Sequence, residues 1–114
     1  MKCYYNLYVS EALDSQKEGI LGKIKEHKWQ FEKYLIALAK SERNHLEIYN
    51  SVLLIQKTIS QEDIFLVGLA DSYENALELV EKITQEVYDK TKGTDIRNYI
   101  LSSQEEFEKG NVLV

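Results

Sequence analysis

Apolar side chains crowd the first stretch of the chain. From Lys2 to Val9, Cys3, Tyr5, Leu7 and Val9 alternate with Tyr4, Asn6 and Tyr8. Both faces of that pattern are largely apolar, which predicts a strand covered on both sides. The spacing then changes. From about Glu11 to Lys28, Leu13, Ile20 and Ile24 recur at helical intervals with Leu21 beside them, and this predicts a first helix. Gly19 and Gly22 lie inside it, and each weakens a helix by about 1 kcal/mol relative to alanine. A second strand is expected over Phe31–Ala39, where YLIALA is continuous and apolar. A third is expected over Asp63–Ala70. Ser72 to Lys92 reads as an amphipathic helix with Ala76, Leu79, Val80, Ile83, Val87 and Tyr88 on one side. Lys90 and Lys92 suit its negative end, and Gly93 suits a left-handed C-cap. Thr94 then reads as the cap of a short last helix carrying Ile96, Tyr99, Ile100, Ser103 and Phe107. Residues 109–114 read as a last strand or a disordered tail.

The stretch between the second and third strands is ambiguous. SVLLIQ could be a buried strand, with KSERN as a hairpin loop before it. An internal likeness bears on the choice. Residues 36–49, IALAKSERNHLEIY, align with residues 67–80, VGLADSYENALELV, at an offset of 31. Six positions are identical: Leu38/Leu69, Ala39/Ala70, Ser41/Ser72, Asn44/Asn75, Leu46/Leu77 and Glu47/Glu78. The second copy runs from strand through polar turn into helix, so the likeness predicts a helix over about Glu42–Lys57. The layout is then β-α-β-α-β-α-α. The fold class expected is α/β, with right-handed crossovers and a mainly parallel three-stranded sheet. The alternative is a ferredoxin-like α+β sandwich, with 31–40 and 45–56 as a hairpin.

A chain of 114 residues is one domain by size. Its lone cysteine cannot form an internal disulfide, which fits a reducing compartment, and the cytoplasm is the default. No apolar run reaches the length of a membrane span. Net charge is −5, split as +2 over residues 1–40 and −7 over the remainder. An acidic body disfavours a nucleic-acid partner, because phosphate affinity rests on lysine and arginine. Lys17, Lys23, Lys25 and Lys28 are interrupted by Glu18 and Glu26, and read as a solvated helix face.

Catalytic signatures are missing. The chain contains no phosphate-binding glycine loop, no nucleophile elbow and no H-E-x-x-H. Cys3 reads as a structural thiol. His27 and His45 read as surface residues, because neither has metal-ligand spacing around it. Trp29 reads as a plug at the end of the sheet. Gly68 reads as a close contact within a strand. No cofactor, metal or catalytic residue is assigned.

Two candidate sites remain. In parallel α/β sheets, ligands bind beyond the carboxyl ends of the strands. Lys40, Ser41, Asp71, Ser72 and Tyr73 stand there, as do Ser10 and Glu11. The acids in those turns oppose anions, so Ser41 and Ser72 are expected to cap helices. The eight tyrosines supply the other candidate. Tyrosine joins apolar area to a polar tip, which suits both cores and wet interfaces. Tyr4, Tyr8, Tyr99 and Phe107 are the candidate contacts. A small non-catalytic interaction or regulatory domain that self-associates, most simply as a two-fold dimer, is therefore the first expectation. A small-ligand binder or enzyme at the strand-end loops is the alternative.

Overall fold

The computed structural model describes residues 2–25, 33–39, 45–55 and 64–110. Along the chain run β1 (Lys2–Val9), a 3₁₀ segment (Glu11–Gln16), α1 (Lys17–Lys25), β2 (Tyr34–Leu38) and β3 (Leu46–Asn50). The short α2 (Val52–Ile55), β4 (Phe65–Ala70), α3 (Tyr73–Thr91) and α4 (Ile96–Glu108) follow. The four strands form one mixed sheet in the order β1-β4-β2-β3. β1 and β4 are parallel; β2 is antiparallel to both β4 and β3.

This corrects the expected three-stranded, mainly parallel sheet. Leu46–Asn50 is extended and pairs with β2, Leu38 opposite Leu46 and Ile36 opposite Ile48. Within the helix expected over 42–57, the described residues 45–55 form a strand followed by one helical turn, and the hairpin of the alternative reading is present. Among the described residues, 36–49 and 67–80 share only their strand halves. The physical reason is visible at His45, which aligns with Ala76. Ala76 is fully buried on the core side of α3, and an imidazole there would be buried without a partner. Leu46, Glu47, Ile48 and Tyr49 instead alternate at period two, with branched and aromatic side chains suited to a strand. Val52–Ile55 then places one turn where SVLLIQ begins.

Helical elements cover both faces of the sheet. On one face Leu7, Leu35, Ala37, Leu66 and Leu69 pack with Leu13 and Ile20 from the 3₁₀ segment and α1. On the other, Tyr4, Ile36, Leu38 and Val67 pack against Ala76, Leu79, Ile83 and Val87 of α3 and Ile96 and Ile100 of α4. The inner strands β2 and β4 are thus buried on both sides, as their unbroken apolar sequence requires. Gly68 leaves room for a close approach of its neighbours to β4. A Cβ built on it would meet the Tyr8 carbonyl oxygen at 3.1 Å and Leu79 Cδ2 at 3.3 Å.

Helix ends follow capping chemistry, with one-residue offsets from expectation. Ser72 Oγ accepts the Asn75 N–H at 3.1 Å at the start of α3. The left-handed residue after α3 is Lys92, φ 61°, rather than Gly93. Asp95, not Thr94, caps α4, accepting from Asn98 N–H at 3.0 Å.

Candidate functional site

β1 and β4 run side by side in parallel, and their continuations leave toward opposite faces of the sheet. The 3₁₀ segment takes one face and α3 the other. A crevice must open between such diverging connections. It is lined by Val9–Ala12 on one side and by Asn75, Glu78, Leu79 and Lys82 of α3 on the other, and encloses about 480 Å³. Ser10 and the Asp71–Ser72 turn meet at the ends of these two strands. The buried Ser10 hydroxyl donates to Asp71 Oδ1 at 3.0 Å and accepts the Asp71 N–H at 3.3 Å. Asn75 Nδ2 donates to the same carboxylate oxygen at 2.7 Å. These bonds, led by the Asn75 amide, hold the Asp71 carboxyl below the usual carboxylate range.

The knot's hydrogen-bonding capacity is largely used inside the fold. Ser72 is engaged as a cap, and Tyr73 turns away from the crevice to meet the Tyr34 ring at 6.0 Å between centroids. Lys40 and Ser41 lie outside the described residues, as do His27 and Trp29. Glu11 and Glu78 set acids on both walls, with Lys82 among them. Among the described residues no cluster of histidine, cysteine, aspartate and glutamate is arranged to hold a metal ion.

The candidate aromatic contacts come together on the β1 side of the molecule. Tyr4 stacks on Tyr8 at 6.1 Å and meets Tyr5 edge-on at 5.0 Å. Tyr5 stacks on Phe107 at 4.5 Å. A shift in register between Cys3 and Tyr8 places Tyr4, Tyr5 and Tyr8 against the same core. The Tyr8 hydroxyl donates to Glu86, and Lys90 pairs with Glu86 at 3.4 Å while lying over the Tyr99 ring. Burial pushes the Tyr4 hydroxyl up to about 12; burial and then Glu86 push Tyr8 higher still. Tyr4 is buried and Tyr5, Tyr8 and Tyr99 are half-buried between β1, α3 and α4, whereas Phe107 stays 48% exposed. Tyr4, only 3% exposed, has almost no area to offer a partner.

Unspent apolar surface lies on the opposite flank of α3. Among the described residues five large apolar side chains stay exposed, and three of them belong to this helix: Tyr73 at 53%, Leu77 at 47% and Tyr88 at 49%. With Val80 and Thr84 they step along one flank at helical spacing. The other flank carries Glu86 and Lys90 toward β1 and α4, so this one is turned to the β2 side of the sheet, where Tyr73 meets Tyr34. A groove of about 600 Å³ runs along it, lined by Leu77, Val80, Thr84 and Tyr88 among others. Leu46 and Ile48 of β3 pack against the same apolar cluster as Val80.

The two sheet edges differ. β1 is guarded by its irregular register and by α4, whose Gln104 Oε1 accepts the Tyr5 N–H at 2.7 Å. Among the described residues no strand lies beyond β3. Ala39 N–H donates to His45 O, and Ser51 N–H to Lys33 O. Antiparallel alternation therefore points the main-chain groups of Glu47 and Tyr49 at β2, and those of Leu46 and Ile48 outward.

This surface was not identified from the sequence. Its signal was there: Tyr73 and Leu77 widen the apolar arc of α3 beyond what one sheet face can cover. The β3 half was hidden by the helical reading of 42–57. Comparison with known proteins finds no matching family model, no matching curated protein and no matching solved structure.

Proposed function

We propose that the chain is a small non-catalytic interaction module that self-associates through the β3 side of the molecule. The observation that carries this reading is the concentration of exposed apolar side chains on one α3 flank, beside an edge strand. Scattered exposed apolar residues are ordinary, whereas a contiguous patch beside a strand edge marks an interaction surface. The module needs no cofactor in this reading, and its single cysteine favours a reducing compartment, the cytoplasm. Among the described residues no helix is long and apolar enough to cross a membrane. The test is light scattering on wild type and on Leu77→Lys. A charge on this exposed helix position should leave folding intact and abolish association; a variant that associates like wild type would refute the assignment.

The crevice between Ser10–Ala12 and α3 supports a second reading, a small-ligand binder. Its support is the position of the crevice at diverging strand ends. Thermal melts against nucleotides, sugar phosphates and small acids decide it. A shift of several degrees that Lys82→Ala removes would favour the ligand binder, and no shift with any of them favours the interaction module.

A further inference from the structure

We infer that the occupant of the β3 edge is a second copy of this chain, paired antiparallel about a two-fold axis at Ile48 so that the two sheets become one of eight strands. The inference rests on the self-association proposed above and adds its partner strand and register. Leu46 and Ile48 already turn their main-chain groups outward. Two-fold pairing centred on Ile48 sets the two copies of Ile48 opposite each other as a hydrogen-bonded pair, each donating to the other. All five residues of β3 overlap in this register. Leu46 then faces Asn50 of the other copy, and Glu47 faces Tyr49.

That last pairing is chemically matched. Within one chain the Tyr49 hydroxyl already donates to the Glu47 carboxylate from the same sheet face. Across the axis, cross-strand neighbours lie about 5 Å apart at Cβ, so the same donor and acceptor meet again. Centring the axis on Glu47 would oppose two carboxylates, which is destabilising. Centring it on Tyr49 would overlap only residues 48–50 before the Ser51 turn and α2. The same axis sets the two α3 helices on one face of the joined sheet, each with its exposed Leu77 and Tyr88 on the flank turned toward the axis.

The experiment uses the full chain in a Cys3→Ala background, so that each introduced thiol is single. Ile48→Cys is expected to form a disulfide-linked dimer under mild oxidation, because a hydrogen-bonded antiparallel pair holds its Cα atoms about 5.5 Å apart. Glu47→Cys and Tyr49→Cys are expected to link poorly alone and efficiently when mixed. Wild type is read in parallel by hydrogen exchange: the Ile48 amide should slow at least about tenfold between about 1 μM and 100 μM. A scattering dimer without the Ile48 link and without Ile48 protection overturns this register and leaves self-association standing. A chain that stays monomeric throughout, whether or not it captures a different protein, overturns both.

Discussion

Gly68→Ala and Gly22→Ala are the same chemical change with opposite expected signs. Gly68 lies in β4 under the close approach of β1. Its new methyl would meet the Tyr8 carbonyl oxygen at 3.1 Å, Leu79 Cδ2 at 3.3 Å and Ile36 Cδ1 at 3.4 Å. The two side-chain carbons can yield by rotation. The Tyr8 carbonyl cannot, since it belongs to the backbone of β1 beside the register shift. Overpacking of this kind costs about 1–3 kcal/mol. Leaving glycine's unfolded-state freedom returns about 0.5–1 kcal/mol. The net expectation is a loss of about 1 kcal/mol, or roughly 4 °C in Tm for a domain of this size. Gly22 has no heavy atom within 4 Å of its would-be Cβ and sits in α1, so alanine there should gain about 0.8 kcal/mol. Urea melts of the three proteins, compared by midpoint at constant slope, provide the measurement. A neutral or stabilising Gly68→Ala would mean that β1 does not approach β4 as described.

Ser72→Ala should cost about 1 kcal/mol in urea melts and Ser72→Gly only a few tenths, because glycine tolerates the cap conformation; equal effects would remove the Ser72–Asn75 cap from the account. Alkaline stability should report the buried tyrosines. Tyr4 rises from 10.0 to about 12 on folding, so the unfolded chain ionises first. Its contribution is complete below pH 10.0 and is lost as pH rises toward about 12. Tyr4→Phe should flatten that decline in melts at successive pH values, and an unchanged decline would contradict the burial of the Tyr4 hydroxyl.

The legible part of this fold was the part with one dominant period. β1, β4, α3 and α4 follow directly from strict alternation, continuous apolar runs or 3.6-residue spacing. Ser72 announced itself as a cap because its hydroxyl precedes an amphipathic run by the right distance. The hairpin of β2 and β3 was misread for a definite reason. Six identities tied 36–49 to 67–80, yet identical residues serve different ends. Leu77 is an exposed helix residue, and its counterpart Leu46 is a half-buried strand residue. The decisive positions were the mismatched ones, above all His45 against the buried Ala76. The strand-end site was partly legible: Ser10 and Asp71 meet, a long-range contact made possible by the parallel pairing of β1 with β4. The tyrosines were legible as a group and not as a location. Only the register shift in β1 reveals that Tyr4, Tyr5 and Tyr8 share one core face. The α3 flank could be recognised as surplus only once β3 was seen to be the outermost strand among the described residues.

Self-association through β3 is tested most directly by light scattering of the wild-type chain across a concentration series. A chain of 13.3 kDa is expected to approach twice that mass at tens of micromolar, where specific contacts with a Kd of about 1 μM are populated. A mass that stays at 13.3 kDa throughout the series would contradict it.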